Sequence, residues 1–123
     1  MILVDSSVWV DHLRSGDAEL SARLEQGQVL CHPFIIGELA LGRLRQREVI
    51  LSALRDLPAS PVAGDAEMLT FIERHALHGL GIGYIDAHLL AACLLSPGTM
   101  FWTRDKRLRD AARRLAIAAD TVG

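Results

Sequence analysis

The chain has 123 residues, half of them apolar, with 23% charged and a formal net charge of -2. A chain of that length can bury roughly two-thirds of its unfolded surface, which excludes a disordered segment or a small scaffold dependent on disulfides. The near-neutral balance excludes a molecule that is basic throughout, so any nucleic acid has to be held by local cationic groups.

In chain order, "ILV" reads as a first strand. "SVWVDHLR" reads as a helix that Ser6 or Ser7 can cap. "DAELSARLEQG" is a second helix, with Asp17 at its start and Gly27 at its end. "VLCH" is a second strand, and "PFIIGELALGRL" a helix opened by a proline suited to a first turn. "REVILSALRDLP" is stopped by Pro58, and a short extended segment, "SPVA", follows. "DAEMLTFIERHALHG" is amphipathic and is expected to run to Gly79; "YIDAHLLAACLLS" ends at Pro97-Gly98. "TMFWT" is a buried strand, and "DKRLRDAARRLAIAA" closes the chain with a core stripe of Leu108, Ala111, Ala112 and Leu115.

Strands spaced by helices imply right-handed βαβ crossovers. The expected fold is α/β, a three-layer α/β/α sandwich around a central, mainly parallel sheet, with residues 1–123 as one domain. No basic stretch precedes an apolar one at the N-terminus, and the longest apolar run, "LLAACLL", is far short of a membrane span. Cys31 and Cys93 lie far apart in apolar runs and read as buried small hydrophobes in a reducing compartment. A cytoplasmic protein with no membrane association is expected.

Four acids carry the chemistry. Sheets of this kind place their sites at the carboxyl ends of the strands. Asp5 follows "ILV" and Asp105 follows "MFWT" by two residues. Glu38 and Asp86 lie inside helices among apolar neighbours. Each has a bland reading: Asp5, Asp105 and Asp86 as helix caps, Glu38 on a solvated stripe. Jointly, however, they lack basic partners on those faces. Two carboxylates ~4 Å apart repel by about 4 kcal/mol at an effective dielectric near 20, so a converging set needs a cation or raised pKa values. All-oxygen donors select Mg²⁺ or Mn²⁺ over Zn²⁺, and one or two such ions are the usual apparatus of phosphodiester hydrolysis.

The segments "ILVDSSVWVDHLR", "GELALG", "GIGYIDAHLLAA" and "FWTRDKRL" resemble, in that order and over essentially the whole chain, the PIN-domain ribonucleases, specifically the VapC toxins of toxin–antitoxin pairs. The resemblance implies that Asp5, Glu38, Asp86 and Asp105 form the acidic quartet around Mg²⁺ or Mn²⁺. It implies supporting hydroxyls at Ser7 and Thr103. It further implies RNA as substrate, a homodimer, and a VapB-like antitoxin whose tail covers the cleft. The stretch "RQREVILSALRDLPASPVAG" and the terminal "AIAADTVG" match nothing diagnostic, so substrate choice is expected to reside in such regions.

Among the basic groups, Arg104 and Lys106 flank Asp105 and are the candidates for phosphate contact. Arg113 and Arg114 read as a solvated face, with Asp110 paired to Arg114. Trp9 and Trp102 read as core side chains ahead of stacking platforms, and His32 and His88 as structural histidines near the site. An aspartyl-phosphate hydrolase would need a second aspartate two residues after Asp5, where this chain has Ser7. A receiver domain fails for the same lack of paired acids. The alternative kept is a catalytically weak PIN-fold module that binds RNA or protein and acts through its partner complex.

Overall fold

The computed structural model describes residues 1–120. Three short strands, β1 (Ile2–Val4), β2 (Val29–Leu30) and β3 (Met100–Trp102), form a parallel sheet in the order β2-β1-β3. Leu3 stands opposite Leu30 on one side and Phe101 on the other. All of β1 is at most 1% exposed. Successive side chains of a strand point to opposite faces, so both faces of β1 are covered, as a three-layer α/β/α arrangement requires.

The helices are α1 (Ser6–Ser15), α2 (Ala18–Glu25), α3 (Pro33–Ala40), α4 (Arg47–Asp56), α5 (Asp65–Arg74), α6 (Tyr84–Leu95) and α7 (Lys106–Arg114). Helix α6 is buried continuously from Ala87 to Cys93. No helix among the described residues is long and apolar enough to cross a membrane. Cys31 and Cys93 are free and buried, and burial pushes their thiols up to about 11 and about 12.

Three helices end earlier than the sequence suggests: α3 stops at Ala40 rather than near Leu44, and two others stop short for a shared reason. α5 stops at Arg74 rather than near Gly79, and α7 stops at Arg114 rather than running through Ala119. Ala76 and Ala116 take left-handed conformations, with φ of 50° and 60°. The amide of Leu77 donates to the Ile72 carbonyl at 3.0 Å and that of Ile117 to Ala112 at 3.0 Å, while Ala76 and Ala116 donate to Glu73 and Arg113. These paired bonds make a Schellman cap at each end. Glycine is the usual sign of that cap, and alanine hides it. Burial of Leu77 and Ile117, at 4% and 6% exposure, helps offset the strained φ.

The released C-terminal segment lies beside β3 rather than continuing a helix. Phe101 donates to the Ile117 carbonyl at 2.7 Å and accepts from Ala119 at 2.8 Å. At the opposite edge Cys31 pairs with Ala59, so the expected extended segment does border the sheet, beginning just before "SPVA". Of the terminal stretch expected to be undiagnostic, residues 121–123 lie outside the described residues.

Candidate active site

Asp5 directly follows β1 at the N-cap position of α1, yet its side chain makes no capping bond. Its amide donates to the Trp102 carbonyl at 2.8 Å, which holds it level with the end of β3. The residue is only 6% exposed. Its Oδ2 accepts from Ser7 Oγ at 2.8 Å and from Thr103 Oγ1 at 2.7 Å.

The direction of these bonds is fixed by their neighbours. Ser7 Oγ accepts from the Arg104 amide at 3.1 Å, and Thr103 Oγ1 accepts from the Asp105 amide at 3.1 Å. Each hydroxyl has one proton, so each spends it on Asp5. The two hydroxyls therefore tie the β3–α7 turn to the β1 carboxylate. Ser6 and Ser7, expected as caps for α1, are instead bound to acids. Ser7 holds Asp5, and the Ser6 hydroxyl bonds the Glu38 carboxylate, a role the sequence did not signal.

The other three acids stand around Asp5 with less cover. Asp86 is half-buried in the first turn of α6 and accepts from the Gly83 amide at 3.0 Å. Asp105 is exposed and caps α7, its Oδ1 accepting from the Leu108 amide at 2.9 Å. Both capping readings are thus real, and each leaves the carboxylate's second oxygen without a hydrogen bond among the described residues. Glu38 is exposed as a residue, but its carboxyl group lies toward Ser6, at the mouth of a groove.

The electrostatics bind the four into one site. The Glu38 pKa is raised by loss of hydration and then by the charges of Asp5 and Asp86, against the Ser6 hydrogen bond. The Asp86 pKa is raised by burial first, against the Gly83 hydrogen bond, with Asp5 and Asp105 adding to the rise. Four carboxylates therefore lie in one another's field, and among the described residues no cationic side chain offsets the rise at Glu38 or Asp86. Among the described residues no three His, Cys, Asp or Glu side chains are gathered closely enough to hold a metal ion, so an ion here would rest on one or two carboxylates and water. An open, all-oxygen rim fits Mg²⁺ or Mn²⁺ better than a closed one, since Mg²⁺ keeps several of its waters and takes few protein oxygens.

The basic candidates divide. The Arg104 guanidinium is held by Asp11 through one nitrogen and by Asp17 at 2.6 Å through the other, which engages it as a brace from the β3–α7 turn to α1 and the start of α2. Lys106 is exposed beside Asp105. Asp110 pairs with Arg113 at 3.8 Å rather than with Arg114, which instead donates to the carbonyls of His75 and Ala76. Arg107, not singled out from the sequence, lies across Gly81. A side chain there would meet its guanidinium at 2.6 Å, and the glycine also takes φ of 77°.

Both tryptophans and His32 are internal, whereas Tyr84 at the start of α6 is exposed. Trp9 and Trp102 are 3% and 2% exposed and cannot stack on a base from there. His32 is fully buried, caps α3 by accepting from the Phe34 amide at 3.0 Å, and has its pKa pushed down to about 4 by burial and by His88.

A covered parallel sheet with mutually repelling carboxylates at its carboxyl edge marks an α/β domain whose site is acidic. Comparison with known proteins makes the assignment specific: the PIN-domain family model matches residues 2–114, and the chain belongs to the PIN-domain family. It is 46% identical over 118 residues to Ribonuclease VapC32 of Mycobacterium tuberculosis, in the CDC 1551 / Oshkosh and ATCC 25618 / H37Rv strains alike. Those matches cover 96% of this chain and 95% of the relative.

Proposed function

We propose that the chain is a metal-dependent endoribonuclease, the toxin of a toxin–antitoxin pair, and that Asp5, Glu38, Asp86 and Asp105 are its catalytic residues. The observation that carries this reading is the buried Asp5 carboxylate, held by two hydroxyls at the centre of a field shared with three other acids. The similarity to a ribonuclease over nearly the full chain supports it.

In this reading the four carboxylates hold one or two Mg²⁺ or Mn²⁺ ions, with Asp5 and Asp105 as principal ligands. A bound ion supplies an acidified water and stabilises charge on the phosphoryl oxygens. Ser7 and Thr103 hold Asp5 in one orientation, since both hydroxyls are committed to Oδ2. Glu38, set by Ser6, orients the attacking water and accepts its proton. Water rather than the ribose 2′-hydroxyl is the nucleophile, so the products carry 5′-phosphate and 3′-hydroxyl ends. The partners in this reading are RNA, a VapB-like antitoxin and a second copy of the chain, in the cytoplasm.

The test is cleavage of end-labelled RNA by the purified protein with Mg²⁺ or Mn²⁺ against EDTA. Metal-dependent cutting with 5′-phosphate ends supports the reading. Cyclic 2′,3′-phosphate ends, or cutting that persists in EDTA, would overturn its mechanism.

A further inference from the structure

A groove of about 590 Å³ opens beside the acidic rim, lined on one side by α1 and on the other by α3, the α3–α4 connection and Ile50. Both walls run from an acid-site residue to arginine. Along α1 the lining residues are Ser6, Val10, Leu13 and Arg14, at i, i+4, i+7 and i+8, one face of a helix. Ser6 bonds Glu38, and Arg14 lies two turns further on, about 12 Å along the axis. The opposite wall starts at Glu38 itself and runs through Leu39 and Gly42 to Arg43 and Arg45.

The arginines are presented rather than consumed. Arg14, Arg43 and Arg45 are exposed and make no hydrogen bond or ion pair among the described residues. The loop that carries Arg43 and Arg45 is braced by Arg47, which donates to the Gly42 carbonyl at 3.2 Å, and turns at Gln46 with φ of 51°. Between the arginines and the acids the floor is apolar: Val10, Leu13, Leu39 and Ile50. Val10 is 42% exposed, although it stands on a helix that buries Val8 and Trp9.

We propose that this groove is the track of the RNA strand, with Arg14, Arg43 and Arg45 as contacts to phosphates flanking the one that is cut. The inference rests on the ribonuclease reading and adds to it where the strand lies and which residues hold it. The charge pattern fits a strand whose scissile phosphate meets metal-loaded carboxylates at one end and whose neighbouring phosphates meet guanidinium groups at the other. The apolar floor favours an unpaired strand, because only unstacked bases can lay their faces on it; a duplex presents sugar and phosphate. It also moves the phosphate contacts away from Arg104, whose guanidinium is already engaged.

The test uses the whole chain and a fluorescein-labelled, unstructured single-stranded RNA. Binding is read by anisotropy in EDTA across a salt series, and cleavage of the same RNA is read with Mg²⁺. The variants are R14Q, R43Q, R45Q and their combination, with R74Q on α5 as the control for charge alone. All these residues are exposed, so the fold is retained. The triple variant is expected to lose about 2 from the slope of log K against log salt, at about 0.7 per contact, which is roughly 100-fold in affinity at about 0.1 M salt. Its KM rises while kcat holds, because the lost contacts are made equally in the ground and transition states.

A triple variant with unchanged slope and KM, beside a wild type that cuts with metal, overturns the groove alone and points to a protein occupant there. Equal losses in R74Q overturn it too. A wild type that binds with the arginine-dependent slope but cuts nothing keeps the groove and removes the nuclease. A wild type that neither binds nor cuts overturns both.

Discussion

Two acidic clusters lie close together in this chain and are treated in opposite ways. Around Arg104, Asp11 and Asp17 share one guanidinium, and the Leu20 amide bond, followed by Arg104, draws the Asp17 pKa down. Around Asp5, three further carboxylates receive only hydroxyl and amide donors, and Glu38 and Asp86 have raised pKa values. The first cluster is complete in the apoprotein. The second carries a repulsion the fold does not relieve, a cost that persists where something else supplies the cation.

The largest break in that contrast should come from Asp5→Asn. Loss of the central ligand is expected to lower RNA cleavage by about 10³-fold, roughly 4 kcal/mol in the barrier. In metal-free buffer the same variant should melt no lower than the parent, because one of the mutually repelling charges is gone. Paired cleavage and thermal-melt measurements check both halves. A variant that cuts normally would remove Asp5 from the site. Next in size is Thr103→Val, which keeps the side-chain shape and removes one of the two donors on Asp5 Oδ2. Cleavage is expected to fall by about 10–100-fold with a weakened metal dependence, read as a higher Mg²⁺ requirement.

The acids were legible in the sequence because strand ends and apolar flanks are written in it, and because the four motifs stand in a known order. Their environment was not. Ser6 and Ser7 carry the signature of caps, and nothing local reveals that their hydroxyls turn to Glu38 and Asp5. Arg104 sits beside Asp105 in sequence, which suggested phosphate contact, but its partners are 93 and 87 residues away. Long-range pairing of that kind leaves no trace in spacing. Helix ends at Ala76 and Ala116 were hidden because the expected glycine is absent. The parallel sheet and the layered arrangement, by contrast, followed from the alternation of strands and helices, whereas the strand order β2-β1-β3 was not read from it.

A smaller effect tests the compensated cluster. Arg104→Met should leave Asp11 and Asp17 without a cation and lower stability by about 2 kcal/mol, the range for charge-assisted hydrogen bonds in a partly exposed setting. Urea unfolding reads it as a lower midpoint with an unchanged slope. Cleavage per folded molecule should hold within a few-fold. A large loss of cleavage at full stability would mean that Arg104 contacts RNA despite its two carboxylate partners.

The smallest effect separates the clusters by the sign of their pH dependence. Asp17 has a depressed folded pKa, so its contribution is present above the unfolded value and is lost as pH falls through the folded one, below about pH 4. Glu38 and Asp86 have raised folded pKa values, so the folded state holds more protons than the unfolded one between the two values, and stability declines as pH rises through that window. Lowering the pH of metal-free protein from neutrality should therefore first raise the urea midpoint, as the acidic rim takes up protons, and lower it only further down, where the clamp at Arg104 is lost. Glu38→Gln should shrink the initial rise, and saturating Mg²⁺ should abolish it, because the ion supplies the charge that protons otherwise supply. A midpoint that only falls from neutrality, with or without metal, would mean that the rim is already compensated in the apoprotein, and the contrast between the two clusters would collapse.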